Sequence, residues 1–290
     1  MSSPLSGRTA RSFVPTITPD GALTPTGRVR RVTLRTSDGV PIDAAYEPGP
    51  TGAEGLAIVL AHGFTGDLER PHVRRAAGVF AQYAAVVTFS FRGHGKSGGR
   101  STVGDREVLD LAAAVAWARS LGHTRVVTVG FSMGGSVVLR HAALHGGGAG
   151  SAHGGRTEDS GRMDARTDAV VAVSAPARWY YRGTAPMRRL HFVVMNPVGR
   201  LVGRLGLRTR IHSQEWDPVP LSPVESVPLI APTPLLVVHG DRDPYFPLDH
   251  PRMLAAAAGG GAELWLEPGM GHAEHAAGEA LLRRIAAWAA

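Results

Sequence analysis

The chain has 290 residues, 43% of them hydrophobic, enough for one large core with an inserted subdomain, and no run approaches the ~20 apolar residues of a membrane span. The formal net charge is +7, almost wholly from arginine because Lys96 is the only lysine; the arginines are spread along the chain without a basic tail, so solvated faces are expected and a nucleic-acid partner is not. There is no cysteine, which excludes disulfides, thiol catalysis and Cys-ligated metal.

Residues 1–27 are rich in Pro, Ser, Thr, Gly and Arg, which predicts a poorly ordered arm. They lack the apolar stretch of a secretory signal, so the cytoplasm is the default location. Arg30–Thr36 and Val40–Tyr46 flank Ser37-Asp38-Gly39, a hairpin signal. The continuous apolar run Gly55–Ala61 suits a strand covered on both faces. A helix over 71–83, a strand over Ala84–Ser90 and a long helix over Asp105–Leu121 follow, the last with apolar residues at helical spacing. Next come a strand over 125–130 and a helix over 133–144. Residues 146–167 contain a Gly-rich run that predicts a surface loop. Ala169–Val173, Leu235–His239 and Ala262–Leu266 read as strands, and 248–258 and 274–289 as helices.

Strands alternating with helices predict an α/β fold: a mostly parallel sheet with helices on both faces. The core is expected over 28–175 and 234–290. Residues 176–233 interrupt the alternation and are too long for a plain connection, which predicts an inserted, mainly helical cap.

Gly130-Phe131-Ser132-Met133-Gly134 lies between the β-branched run 126–129 and a helical stretch. A G-x-S-x-G pattern at a strand-to-helix junction is the context of a nucleophile elbow. A serine hydroxyl needs a base within reach and a third group to orient that base, and the tetrahedral intermediate needs donors for its oxyanion. Each part has a candidate at a strand end. His272, in Gly269-Met270-Gly271-His272, follows strand 262–267 and is the candidate base, with His275 as a weaker rival inside the next helix. Asp241 and Asp243 lie in Gly240-Asp241-Arg242-Asp243 after strand 235–239. Strand 56–61 ends in His62-Gly63-Phe64-Thr65-Gly66, whose Phe64 N–H can pair with that of Met133 to hold an oxyanion.

These motifs, with Arg92-Gly93-His94-Gly95-Lys96-Ser97 after the strand ending near Ser90, resemble the α/β-hydrolase family over roughly residues 30–145 and 168–290. The order Ser…Asp…His is the family's own. The family's Gly-x-x-Asp spacing selects Asp243 over Asp241, which is better suited to capping its turn. The resemblance implies acyl transfer through a covalent intermediate on Ser132, with His272 as base, Asp243 as its ionised partner and no metal or organic cofactor.

Other signals are weaker. Gly95-Lys96-Ser97 fails as a phosphate-binding loop, because Ser90 stands where the first glycine should be. His94 and His62 are expected to be structural, His62 supporting the oxyanion loop. His272-Ala273-Glu274-His275 is not H-E-x-x-H, and no ligand set is spaced for zinc.

In the cap, Trp179, Tyr180 and Phe192 offer aromatic surface, and with His62 and Tyr245 they are the candidate lining of a substrate pocket. Asn196-Pro197 is a helix start. Beyond it, Arg200, Arg204 and Arg208 fall on one face and Leu201, Val202 and Leu205 on another. The apolar side is expected to pack over the site with the arginines solvated; the alternative is that the arginine stripe attracts an anionic substrate or an acidic membrane surface. Taken together, a cofactor-free serine hydrolase acting on a small, hydrophobic carboxylic ester is expected. Thioesterase, lactonase, acyltransferase and perhydrolase chemistry use the same triad, and a receptor retaining the fold is the non-enzyme alternative.

Overall fold

The computed structural model describes residues 29–53, 55–146 and 164–290; the arm expected at 1–27 and most of the Gly-rich stretch 146–167 lie outside the described residues. The Asp-Gly turn joins β1 (Arg30–Arg35) to β2 (Pro41–Glu47) as an antiparallel hairpin, with Arg30 opposite Tyr46. The sheet then takes in β3 (Leu56–Ala61), β4 (Ala85–Phe89), β5 (Arg125–Phe131), β6 (Ala169–Val173), β7 (Leu235–Gly240) and β8 (Ala262–Glu267). Its eight strands lie in the order β1-β2-β4-β3-β5-β6-β7-β8. The β2–β4 pairing is antiparallel, and every pairing from β4 to β8 is parallel.

The apolar runs are explained by what covers them. Every residue of β3, β4, β6 and β7 is buried, because helices lie on both faces of the sheet. One face packs against α1 (Pro71–Phe80) and the C-terminal helix described below, through Val73, Phe80, Leu282 and Ile285 among others. The other packs against α2 (Glu107–Ser120) and α3 (Met133–His145), through Leu111, Val115, Val137 and Val138. Edge strand β8 has no neighbour beyond it among the described residues and is only partly buried, with Glu263 and Leu266 exposed. No helix among the described residues is long and apolar enough to cross a membrane.

Residues 176–233 hold α4 (Ala185–Met195), α5 (Pro197–Gly206), the single turn α6 (Pro223–Ser226) and a 3-10 turn, Val227–Leu229, joined by irregular chain. The segment is tied back to the loop after β4: Arg210 N–H donates to Gly93 O at 2.8 Å, and Ser101 N–H donates to Arg210 O at 2.7 Å. Asn196 Oδ1 accepts from Val198 N–H at 2.9 Å and caps α5. The helix ends at Gly206, so Arg208 does not continue the stripe of Arg200 and Arg204; it stands beyond the C-cap with φ 54°.

The orientation of α5 also reverses the expectation. Gly199 and Gly203 are its buried positions, whereas Leu201, Val202 and Leu205 are exposed. A Cβ on Gly199 would lie 2.4 Å from Phe192 O, so close contact between α4 and α5 requires the glycine face inward. The apolar side chains are then left outside.

After α7 (Asp249–Ala257), the helix expected over 274–289 is in fact two, α8 (Ala273–Ala276) and α9 (Glu279–Ala289). Ala277 is extended at ψ 106°. Arg75 Nη2 donates to the carbonyls of Glu274 at 2.7 Å and Ala277 at 2.9 Å, supplying the partners that a continuous helix would have given them.

Candidate active site

At the C-terminal end of β5 the chain makes a sharp turn. Ser132 has φ 51° and ψ −114°, a conformation rare for a residue with a side chain. A Cβ on Gly130 would sit 2.2 Å from Gly134 O, and one on Gly134 2.2 Å from Ala61 O. Both glycines are thus dictated by the backbones that crowd the turn. Ser132 N–H donates to Val173 O at 2.9 Å, which fixes the turn against the end of β6.

Two residues 140 positions apart then meet: His272 Nε2 lies 2.8 Å from Ser132 Oγ. On the other side of the ring, His272 Nδ1 lies 2.7 Å from Asp243 Oδ2. Because a neutral imidazole has one donor and one acceptor, Asp243 fixes Nδ1 as the donor and leaves Nε2 free to accept the serine proton. The Asp243 side chain is fully buried. Burial pushes its carboxyl up, but His272 and the N–H groups of Tyr245 and Phe246, at 2.8 and 3.1 Å, outweigh it and hold the group below its ordinary value. Asp241, by contrast, accepts Gly269 N–H at 2.7 Å in an exposed turn.

Facing Ser132 is the loop after β3. A Cβ on Gly63 would lie 3.4 Å from Ser132 Cβ, so this loop borders the hydroxyl. Thr65 has φ 66° and Gly66 N–H donates to Gly63 O at 3.0 Å, which makes a tight turn. Phe64 N–H has no acceptor among the described residues. Met133 is the first residue of α3, where a backbone N–H has no intrahelical acceptor. Phe64 N–H, in the loop that borders Ser132, and Met133 N–H, at the positive end of α3, are thus both left without a backbone acceptor among the described residues.

His62 does not line the cavity. It is fully buried, with Nδ1–H donating to Gly63 O at 2.7 Å and Nε2 accepting from Phe91 N–H at 3.0 Å. Burial, with His94 beside it, holds its pKa far below the usual imidazole range. It is a neutral brace for the loop. His94 is likewise buried, its Nδ1–H donating to Arg92 O at 2.9 Å.

A cavity of about 320 Å³ opens over Ser132, bordered by Phe64, Met133, Trp179, Tyr180, Met187 and Trp216. Trp179 packs edge-on against Trp216 with centroids 5.1 Å apart. Two other expected lining residues are elsewhere. Phe192 is exposed on the outer side of α4, because Leu190 and Val194 take the inward positions. Tyr245 packs on the His272 ring with centroids 4.3 Å apart, held by the hydrogen bond between its carbonyl and Thr184 Oγ at 2.9 Å.

Sequence reasoning missed the supports beneath the site. Glu274, almost fully buried, accepts Gly63 N–H at 3.0 Å. Ser174 Oγ accepts Ala273 N–H at 3.0 Å. These partners lie 211 and 99 positions apart, so no local spacing signals them. Trp216 was detectable only as another aromatic in the inserted segment. Among the described residues, His72, Glu274 and His275 form a group whose ligand-type atoms lie within 4.8 Å of one another. They come from α1 and α8, outside the cavity.

The sequence profile described as the alpha/beta hydrolase family matches residues 58–284, more than half of the chain. The chain belongs to that family. This α/β hydrolase is similar in structure to the esterase Pf2001 of Pyrococcus furiosus, with TM-score 0.66 and 21% identity over 95% of this chain and 96% of that one. The alpha/beta hydrolase GrgF of Penicillium sp. sh18 gives TM-score 0.65 and 19% identity over 90% and 98%. A protein of Xanthomonas campestris, described as an α/β serine hydrolase without a lid, gives TM-score 0.57 and 19% identity over 92% and 94%. Identities this low establish the shared fold. No curated protein matches the sequence significantly.

Proposed function

We propose that this α/β hydrolase is a serine esterase that cleaves small, hydrophobic carboxylic esters through an acyl-enzyme. The observation that carries the proposal is the line Ser132 Oγ–His272 Nε2 at 2.8 Å and His272 Nδ1–Asp243 Oδ2 at 2.7 Å. As Ser132 Oγ attacks the ester carbonyl, its proton passes to His272 Nε2. The carbonyl oxygen becomes an oxyanion that accepts from Phe64 N–H and Met133 N–H. His272 returns the proton to the departing alkoxide as the carbon–oxygen bond breaks, leaving the acyl group on Ser132. Water then attacks, giving one proton to His272, and the second collapse frees the acid and restores the Ser132 hydroxyl. Asp243 stays ionised throughout and stabilises the imidazolium. No step calls for a metal or an organic cofactor.

The apolar lining supplied by Met187, Trp179 and Trp216 supports a hydrophobic acyl or alcohol group, since burying apolar surface is the main source of affinity in such a cavity. Residues 176–233 act as the cap that supplies this lining. The description of the Pyrococcus protein as an esterase points the same way. Turnover of p-nitrophenyl esters, acyl thioesters and lactones tests the assignment: esters are hydrolysed fastest, and Ser132→Ala removes the activity. Faster thioester or lactone turnover would replace the ester assignment, and full activity in Ser132→Ala would end it.

A further inference from the structure

The face that α4 and α5 turn to solvent has a composition that the catalytic reading leaves unused. On α5, Val198, Leu201, Val202 and Leu205 recur at i, i+3, i+4 and i+7, and all are exposed, Val198 at 63% and Leu205 at 74%. Phe192 of α4 extends the same surface and is also exposed, while Met195 is exposed at the rim of the cavity. The inward side of α5 is glycine, so no rotation of the helix could bury the apolar stripe without driving a side chain into α4. An apolar stripe presented outward by a well-fitted helix marks a contact surface.

The charge around it is of one sign. Between Pro176 and Arg210 there are eight arginines and neither Asp nor Glu. Arg188, Arg189, Arg204 and Arg208 are exposed, and among the described residues none of the four has a carboxylate partner. Paired face to face with a second copy, this surface would set the same arginines against each other with no acid to offset them. An apolar stripe beside unpaired arginines matches instead a surface that is negative outside and apolar beneath.

We propose that the outer face of α4 and α5 docks the protein onto an anionic lipid bilayer, with Val198, Leu201, Val202 and Leu205 entering the headgroup–acyl boundary and Arg188, Arg189, Arg204 and Arg208 meeting lipid phosphates. This is adsorption by an interfacial helix, not insertion of a span. The opposite sides of the two helices wall the cavity over Ser132, through Leu190, Val194 and Arg200. Docking therefore holds the cavity wall against the phase in which hydrophobic esters dissolve.

Vesicle flotation with the full chain tests this without turnover, so it stands or falls apart from the esterase reading. Wild type floats with phosphatidylcholine vesicles containing phosphatidylglycerol and stays behind with phosphatidylcholine alone. Added salt weakens the binding, because surface charge is screened within about a Debye length. Leu201→Glu with Leu205→Glu abolishes flotation. Arg188→Gln with Arg204→Gln weakens it about fivefold for each arginine lost. Circular dichroism shows both variants folded, since all four side chains are exposed. The proposal is overturned if wild type does not float with anionic vesicles, or floats equally with both kinds, or if neither variant changes the distribution. A wild-type dimer that dissociates on Leu201→Glu with Leu205→Glu would equally overturn it, by assigning the face to a second copy.

Discussion

The Glu274 carboxylate accepts the Gly63 N–H at 3.0 Å, which ties the loop that carries His272, the proposed base, to the loop that carries Phe64, one of the two proposed oxyanion donors. The two loops leave different strands, β8 and β3, and α8 holds Glu274 two positions after His272. Position on one side of the catalytic groups is thereby referred to position on the other.

Removing the acceptor tests that tie. In Glu274→Ala the buried Gly63 N–H loses its partner, which costs about 1–3 kcal/mol, and Phe64 N–H is no longer held at its angle. The expected outcome is kcat lower by roughly tenfold with KM little changed, and recovery of most of kcat in Glu274→Gln, whose amide oxygen can still accept. Equal loss of kcat in both variants, or a change in melting temperature alone, would reduce Glu274 to a fold-stabilising residue.

Asp243→Asn keeps the shape of the acid but reverses the donor logic, because the amide nitrogen can donate to His272 Nδ1 and turn the tautomer over. Steady-state kinetics should show kcat lower by about 10³–10⁴-fold. Asp241→Asn, which alters only an exposed turn, should leave kcat within about twofold, as surface changes outside named interactions usually do.

Val194 lines the cavity from α4. A Trp there fills space that a long acyl chain would occupy. Val194→Trp should lower kcat/KM for an octanoyl ester by roughly tenfold or more relative to an acetyl ester, a few methylenes' worth of lost contact at about 0.8 kcal/mol each. Parallel loss on both esters would mean that the acyl group lies elsewhere.

The acid limb of stability follows from buried imidazoles. His250 is fully buried and accepts Ala177 N–H on Nδ1 at 2.9 Å. Burial lowers its pKa to about 4 from the ordinary 6.5, with Arg178 adding to the shift and Asp249 opposing it. Between these values the unfolded chain binds a proton that the folded chain does not. Stability is therefore full above pH 6.5 and falls as the pH drops towards 4, by up to about 1.4 kcal/mol per pH unit for each such group. Melting temperature should fall through this window, and less steeply in His250→Gln. A flat profile from pH 6.5 to 4, or an identical slope in the variant, would contradict this.

The sheet was readable because burial on both faces writes itself as continuous β-branched and apolar runs, as in Leu56–Ala61 and Val126–Val129. The elbow was readable because its two glycines and its serine fall within five residues at a strand-to-helix junction, although the backbone that crowds Gly134 is the distant Ala61 carbonyl. What was not readable involved contacts between distant positions. Gly63 and Glu274 meet only after β3 and β8 are placed in one sheet. The inward face of α5 could not be inferred from its pattern, since a helix with Leu on one side and Gly on the other looks as though it should bury the leucines. The decision lay with Phe192 and Val193, against which only a glycine fits. The single helix expected over 274–289 failed for a related reason: Arg75, from α1, takes the carbonyls at the break.

The central claim is that Ser132 is an activated nucleophile. Intact-mass spectrometry after exposure to a fluorophosphonate measures this directly. One adduct per chain, mapped to Ser132, absent in Ser132→Ala and formed far more slowly in His272→Ala, is the predicted result. A folded wild-type chain that takes up no adduct, or an adduct that persists in Ser132→Ala, would contradict it.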